Sequence, residues 1–273
     1  MINYNGKLTS SESINFDYNN RGFQYGDGIF ETLIFENGNI KFQSEHWERI
    51  TEGLKTLKIS IPANKEELFH QIDELLNENK LAANSARIKI YFWRKNGGLY
   101  TPTSSECNYL ISADPTVIKV SKLYQNVAIS ESVALQYSKF SALKSISAIE
   151  YVLAGIEKKE RALEELIILN SEGLLAEASA ANLFFFNSAQ KKLFTPSLKT
   201  GCINGVVRRF IMKNVKRHGF EIEEIEWKLN EIPLNYSVFT VNVAGVNQLM
   251  KVENQHFNDS QEDLKSFLQL LKA

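Results

Sequence analysis

The chain has few of the residues that would mark a specialised class of protein. Of its 273 residues, 2 are cysteine, Cys107 and Cys202, and no CxxC pair exists. Two cysteines cannot build a disulfide framework, so free, buried thiols in a reducing compartment are the expectation. Neither has a thiolate-forming neighbour in sequence, so neither is expected to be a nucleophile. The 4 histidines, His46, His70, His218 and His256, are scattered with no HxxxH or HExxH spacing, so no metal site is expected. No stretch approaches 18 apolar residues, and the densest runs, such as Leu183–Phe186, are strand-sized. The polar N-terminal stretch lacks the apolar run of a signal peptide, so a cytoplasmic location is expected. An excess of either charge is also missing. The 31 Lys+Arg offset 32 Asp+Glu to a net charge of −1, which removes the electrostatic reason to expect nucleic-acid or membrane binding.

What is present is ordinary globular material, 44% hydrophobic and 23% charged. The length suits one large domain or two of about 100–200 residues. Ile29–Phe35 is an apolar run that meets Asn37-Gly38 and then Asn39–Phe42, a hairpin signal. Ser44 offers an N-cap, and Trp47, Ile50, Leu54 and Leu57 recur at helical spacing. A second helix is predicted over about Lys65–Asn79, capped by Asn64, with Leu68, Ile72, Leu75 and Leu76 inward. Ala86–Arg94 and Cys107–Ser112 alternate as strands, and Asp114-Pro115 breaks the pattern, the best domain boundary. Beyond it, Val117–Val120, Asn126–Ile129, Glu165–Asn170, Ala181–Phe186 and Ser237–Val243 read as strands. Helices are expected over Ser147–Ala162, where Ile149, Val152, Leu153 and Ile156 share a face, after Gly205, and at Leu264–Leu271. Strands and helices mix without βαβ regularity, which predicts an α+β protein with domains at 1–114 and 115–273.

Three polar residues stand out against apolar surroundings. Lys144, just ahead of a helix, could be a desolvated nucleophilic amine, although a lysine there is more often a snorkelling one. Glu177, amid small and apolar residues, needs a proton or cation if buried, or else lies on an exposed loop. Arg49 adjoins the inward stripe of its helix and could reach an internal anion, where a solvated arginine is the usual case. Gly205-Val206-Val207 at a helix start could offer backbone N–H groups to the same anion, a weak signal by itself. Tyr25-Gly26-Asp27-Gly28 has neither the Walker nor the dinucleotide pattern. Lysine, carboxylate, arginine and helix N-terminus suit pyridoxal phosphate, one coherent reading among several.

Longer motifs carry a resemblance. Asn20-Arg21-Gly22-Phe23-Gln24-Tyr25-Gly26-Asp27-Gly28-Ile29-Phe30-Glu31-Thr32 resembles the opening motif of the class IV, fold-type IV pyridoxal-phosphate enzymes. Glu45-His46-Trp47-Glu48-Arg49 is similar to their EHxxR helix, and Lys144-Ser145-Ile146 to their Schiff-base lysine segment. Glu172 through Phe184, Thr195-Pro196 and Gly205-Val206-Val207-Arg208 follow in the family's order. The resemblance implies a two-domain, D-amino acid aminotransferase-like fold with pyridoxal phosphate between the domains. It assigns the cofactor to Lys144, Glu177, Arg49, Val206, Val207 and Val243. Most transaminases of the family carry hydroxyl residues where Val207 and Val243 stand, so weaker phosphate binding is expected. Thr32, Asn204-Gly205-Val206-Val207-Arg208 and Ala180-Ala181-Asn182-Leu183-Phe184 resemble the aminodeoxychorismate lyases most, whereas Glu31 is more transaminase-like. The implied reaction converts 4-amino-4-deoxychorismate to 4-aminobenzoate and pyruvate, a step of folate synthesis. Lys144 and Thr32 would be catalytic, and Arg94 and Phe30 would meet the substrate. A class IV transaminase for branched-chain or D-amino acids is the alternative, and a cofactor-free binding protein a third. The resemblance also implies a homodimer.

Overall fold

The computed structural model describes residues 1–118 and 121–272. The chain divides into two compact units, one of Met1–Ile118 with Leu143–Ser147, the other of Lys119–Ala142 with Ala148–Ala273. The Lys144 segment thus belongs with the N-terminal residues, which a single cut at 114 does not express.

The first unit contains β1 (Ile2–Tyr4), β2 (Lys7–Thr9), α1 (Arg21–Tyr25), β3 (Gly28–Glu36), β4 (Asn39–Ile40), α2 (Gln43–Thr56), α3 (Lys65–Glu78), β5 (Ala86–Arg94) and β6 (Cys107–Pro115). Its strands form one sheet in the order β2-β1-β6-β5-β3-β4, antiparallel throughout. Asn37 and Gly38 both take positive φ, 52° and 77°, as the tight β3–β4 turn requires. Alternation along β3 sends Ile29, Leu33 and Phe35 into a core with Ile50 and Leu54 of α2 and Leu68, Ile72 and Leu75 of α3. The Asn64 side chain caps α3, accepting from the Glu67 N–H at 2.9 Å. Ser44 is not a cap. Because β4 ends at Ile40, α2 already begins at Gln43, and Phe42 stands at its N-cap in the left-handed region without a side-chain hydrogen bond. Nor does Asp114-Pro115 interrupt a strand. It closes β6, where a missing N–H is tolerated. Val117 and Ile118 lie in no strand, and Lys119 and Val120 fall outside the described residues.

The second unit holds β7 (Leu123–Tyr124), β8 (Val127–Leu135), α4 (Ile149–Glu160), β9 (Glu165–Asn170), β10 (Leu175–Ala178), β11 (Asn182–Asn187), β12 (Lys192–Pro196), α5 (Val206–Asn214), β13 (Glu221–Ile225), β14 (Ser237–Asn242), β15 (Gly245–Leu249), β16 (Lys251–Val252), β17 (Gln255–His256) and α6 (Gln261–Gln269). A six-stranded sheet runs β13-β12-β11-β14-β15-β7, beside a three-stranded one, β10-β9-β8. Parallel pairs, β8 with β9, β12 with β13 and β15 with β7, are mixed with antiparallel ones. Phe184, Phe186 and Phe239 pack with Phe267 of α6. The apolar stripe of α4 is largely exposed. Ile149, Val152, Leu153 and Ile156 are 61%, 54%, 44% and 48% exposed, while Ala154 and Glu157 are buried. Periodicity identifies a stripe but does not say what covers it. No helix among the described residues is long and apolar enough to cross a membrane.

Candidate active site

In the first unit, the Lys144 segment lies against the start of β3. The Phe30 N–H donates to the Lys144 carbonyl at 2.9 Å, and the Ile146 N–H donates to the Gly28 carbonyl at 3.1 Å. That approach requires glycine at 28, since a Cβ there would lie 2.2 Å from the Phe92 carbonyl oxygen and 2.7 Å from Ile146 Cδ1. Lys144 Nζ sits 4.5 Å from the centre of the Phe30 ring, a cation–π distance. Residues two apart on a strand share a face, so Thr32 stands on the side of Phe30 and Lys144. Register places Lys89 opposite Thr32 and Tyr91 opposite Phe30, with the two rings stacked at 6.0 Å. One sheet face therefore carries Phe30, Thr32, Lys89 and Tyr91 together with the Lys144 ammonium. Sequence reasoning missed Lys89. Its signal was the alternation of Arg87, Lys89 and Tyr91 with Ile88, Ile90 and Phe92, which puts a cation on the face opposite the core.

Glu31 points the other way, into the core, and is 1% exposed. Its carboxylate accepts from Arg49 Nε and Nη2, each at 2.7 Å, and lies 2.7 Å from His46 Nδ1. Burial alone would raise its pKa. The Arg49 and His46 charges and hydrogen bonds outweigh burial and bring it down to about 2. As an ionised carboxylate Glu31 can only accept, so His46 donates through Nδ1. His46 Nε2 is buried without a hydrogen-bond partner.

Arg94 departs from its expected role. Nε and Nη2 donate to Asp27, Nη2 also to the Leu57 carbonyl at 2.6 Å, and Nη1 to the Lys58 and Ser104 carbonyls at 3.0 and 3.4 Å. All its N–H groups are committed inside the fold, leaving none for a substrate carboxylate. Asp27 accepts equally from Arg21 Nε at 2.8 Å. Arg21 Nη1 in turn donates to the Gly97, Gly98 and Leu99 carbonyls at 3.1, 3.1 and 2.6 Å. Burial works against the Asp27 charge, but hydrogen bonds from Arg94 and Arg21 still lower its pKa.

In the second unit, Glu177 is a buried strand residue, 3% exposed, rather than a loop one. Its Oε1 accepts the Tyr151 hydroxyl at 2.6 Å and the Ile203 N–H at 3.1 Å, and Oε2 the Asn182 amide at 3.4 Å. Burial and then the Glu177 charge push the Tyr151 pKa up, so the phenol stays a donor. Asn182 also donates to the Ile203 carbonyl at 2.8 Å. A Cβ on Gly205 would fall 2.1 Å from Asn182 Oδ1, so a larger residue at this turn would have to displace the Asn182 amide. Gly205 is the N-cap of α5 and brings no capping side chain, while Val206 and Val207 form its buried first turn. The first N–H groups of a helix have no intrahelical acceptor and suit an anion. Val243 is half-buried just past β14. The cysteines are unpaired, and burial pushes both thiols up to about 12, which makes them poor nucleophiles.

Comparisons with known proteins place the chain in a family. The chain is 26% identical over 277 residues to the aminodeoxychorismate lyase of Bacillus subtilis, covering 99% of this chain and 93% of that protein. The fold matches the branched-chain aminotransferase of Thermoproteus uzoniensis with a TM-score of 0.86 at 20% identity, covering 98% of this chain and 92% of that one. It also matches the 4-amino-4-deoxychorismate lyase of Pseudomonas aeruginosa with a TM-score of 0.82 at 20% identity, covering 99% and 98%. The amino-transferase class IV family pattern matches residues 28–247, and the chain belongs to that family.

Proposed function

We propose that this enzyme binds pyridoxal phosphate and cleaves 4-amino-4-deoxychorismate to 4-aminobenzoate, a folate precursor, and pyruvate. The observation that carries this reading is the face holding Lys144, Thr32 and Lys89: one basic amine, one hydroxyl and one further cation beside an aromatic ring. A cyclic amine carrying two carboxylates suits such a face. The donor set also fits the cofactor. Lys144 would be its covalent anchor, and Glu177, caged by Tyr151 and Ile203, would hold a proton on the pyridine nitrogen. Arg49 and the uncapped first turn at Val206 and Val207 would take the phosphate, with Val243 contributing backbone alone. When bound, pyridoxal phosphate supplies an electron sink for the carbon next to the amine it holds.

Lys144 acts as general base and takes the substrate's C4 proton onto Nζ. The C–O bond to the enolpyruvyl group then breaks, and the ring becomes aromatic. Thr32 relays a proton to the methylene carbon of the departing enolpyruvate, completing pyruvate. Phe30 packs on the substrate ring. Lys89, in place of the committed Arg94, pairs with a carboxylate.

Transamination between an amino acid and a 2-oxo acid is the second reading, favoured by the family's aminotransferase members. Glu31 does not favour it, because its side chain lies on the core face, away from Thr32 and Lys144. Pyruvate release from aminodeoxychorismate with no oxo acid added is the expected result. Lys144→Ala should abolish both that release and the cofactor's visible absorbance. Lys89→Met should raise KM about tenfold or more, as loss of a charged contact does. Conversion of the cofactor to its amine form by an amino acid, without pyruvate release, would overturn the lyase reading. A homodimer belongs to the same proposal, supported by the exposed apolar stripe of α4.

A further inference from the structure

The Glu31–His46–Arg49 cluster sits where hydrophobic packing would ordinarily suffice. Glu31 is on the core face of β3, among Ile29, Leu33 and Phe35 and the apolar residues of α2. A buried ion pair is a poor stability device, since desolvating both charges cancels most of their attraction. Its geometry does something packing cannot. The two contacts from Nε and Nη2 lock one edge of the Arg49 guanidinium on Glu31 and fix its plane. That leaves the Nη1 side as the edge for another anion. His46 stands one turn before Arg49 on α2 and donates to the oxygen that also receives Arg49 Nη2. The carboxylate is thereby held from two directions.

We infer that Glu31 and His46 are positioning residues that aim Arg49 at the cofactor phosphate and so set the strength of that grip. The inference rests on the reading above that Arg49 holds the phosphate. It also gives the EHxxR spacing a physical meaning: the histidine orients the carboxylate, and the carboxylate orients the arginine. It accounts as well for a costly feature, the buried His46 Nε2 without a partner, since the ring is placed for its Nδ1 bond. Val207 and Val243 offer no side-chain hydroxyl, so correct aim of the Arg49 guanidinium carries more of the phosphate affinity.

The test compares pyridoxal phosphate with pyridoxal, which lacks the phosphate. Apo-protein is titrated with each while the visible absorbance of the bound form is followed. Glu31→Gln keeps the shape and removes the charge. It is expected to weaken pyridoxal phosphate about tenfold, the usual effect of losing an orienting partner, while leaving pyridoxal within about twofold. Arg49→Met serves as reference and should show a larger loss with the same selectivity. A selective loss in Arg49→Met without one in Glu31→Gln would overturn the positioning role alone. No selective loss in Arg49→Met would overturn the phosphate assignment itself. Equal weakening of both ligands by Glu31→Gln would mark a merely structural role. Should Glu31→Gln fail to fold, His46→Asn decides by the same ratio, with a smaller loss in the same direction expected.

Discussion

At the scale of single residues, three arginines of like chemistry end in different roles because of what surrounds them. Arg94 has every donor inside the fold, Arg21 binds three successive carbonyls, and Arg49 is held along one edge. The same local view gives a pH dependence. The Glu31 carboxyl is ionised in the folded state down to about 2, against 4.5 as its ordinary value. A lowered carboxyl pKa adds stability that is complete above the ordinary value and disappears as pH falls through the folded one. Glu31→Gln should therefore destabilise the apo-protein by a few kcal/mol at neutral pH, about what such a shift represents. The gap between wild type and variant should narrow as pH drops from 4.5 toward 2. Thermal midpoints of both proteins across that range check it, and a constant gap would contradict the assignment of the charge.

Elements set which residues meet. Period-two alternation in β3 separates Phe30 and Thr32 from Glu31 and Leu33, dividing reaction face from core within one motif. Register with β5 then adds Lys89, although it is more than fifty positions away in sequence. The turn before β3 ties a loop to this strand through Asp27. Arg21 is held by Asp27 and grips the Gly97–Leu99 carbonyls, and Gly97 and Gly98 have φ of 122° and 74°, which other residues rarely adopt. Asp27→Asn would leave two buried guanidinium groups facing each other without their counter-charge. Removing one partner of such a group costs about 3 kcal/mol or more. The expected result is a thermal midpoint lower by roughly 5–10 °C and faster hydrogen exchange at Gly97–Leu99. Unchanged exchange at those amides would show that the loop does not depend on the clamp.

At the scale of the whole molecule, the α4 stripe is the feature least explained by one chain. Four large apolar side chains lie exposed along one side of a helix whose opposite side is well packed. A homodimer that uses this face should have about twice the 31.1 kDa chain mass by light scattering. Leu153→Glu should then return it to the mass of one chain without loss of helical content. An unchanged mass would place any interface elsewhere.

Local chemistry made much of this readable in advance. The Asn37-Gly38 hairpin, the Asn64 cap, the alternation in Ala86–Arg94 and the ordered motifs around Lys144, Glu177 and Arg49 depend on neighbours a few residues apart, so the sequence by itself determined them. Ser44 failed as a cap because the start of α2 depends on where the preceding hairpin strand ends, and the shared face of α4 did not say what covers it. The tertiary structure alone decided that Arg94 is spent on Asp27 and three carbonyls, that Lys89 stands beside Thr32, and that Glu31 turns inward to Arg49. Each is a pairing between strands or helices far apart in the chain. Spacing along a sequence states which face a residue takes, and only packing states what it meets there.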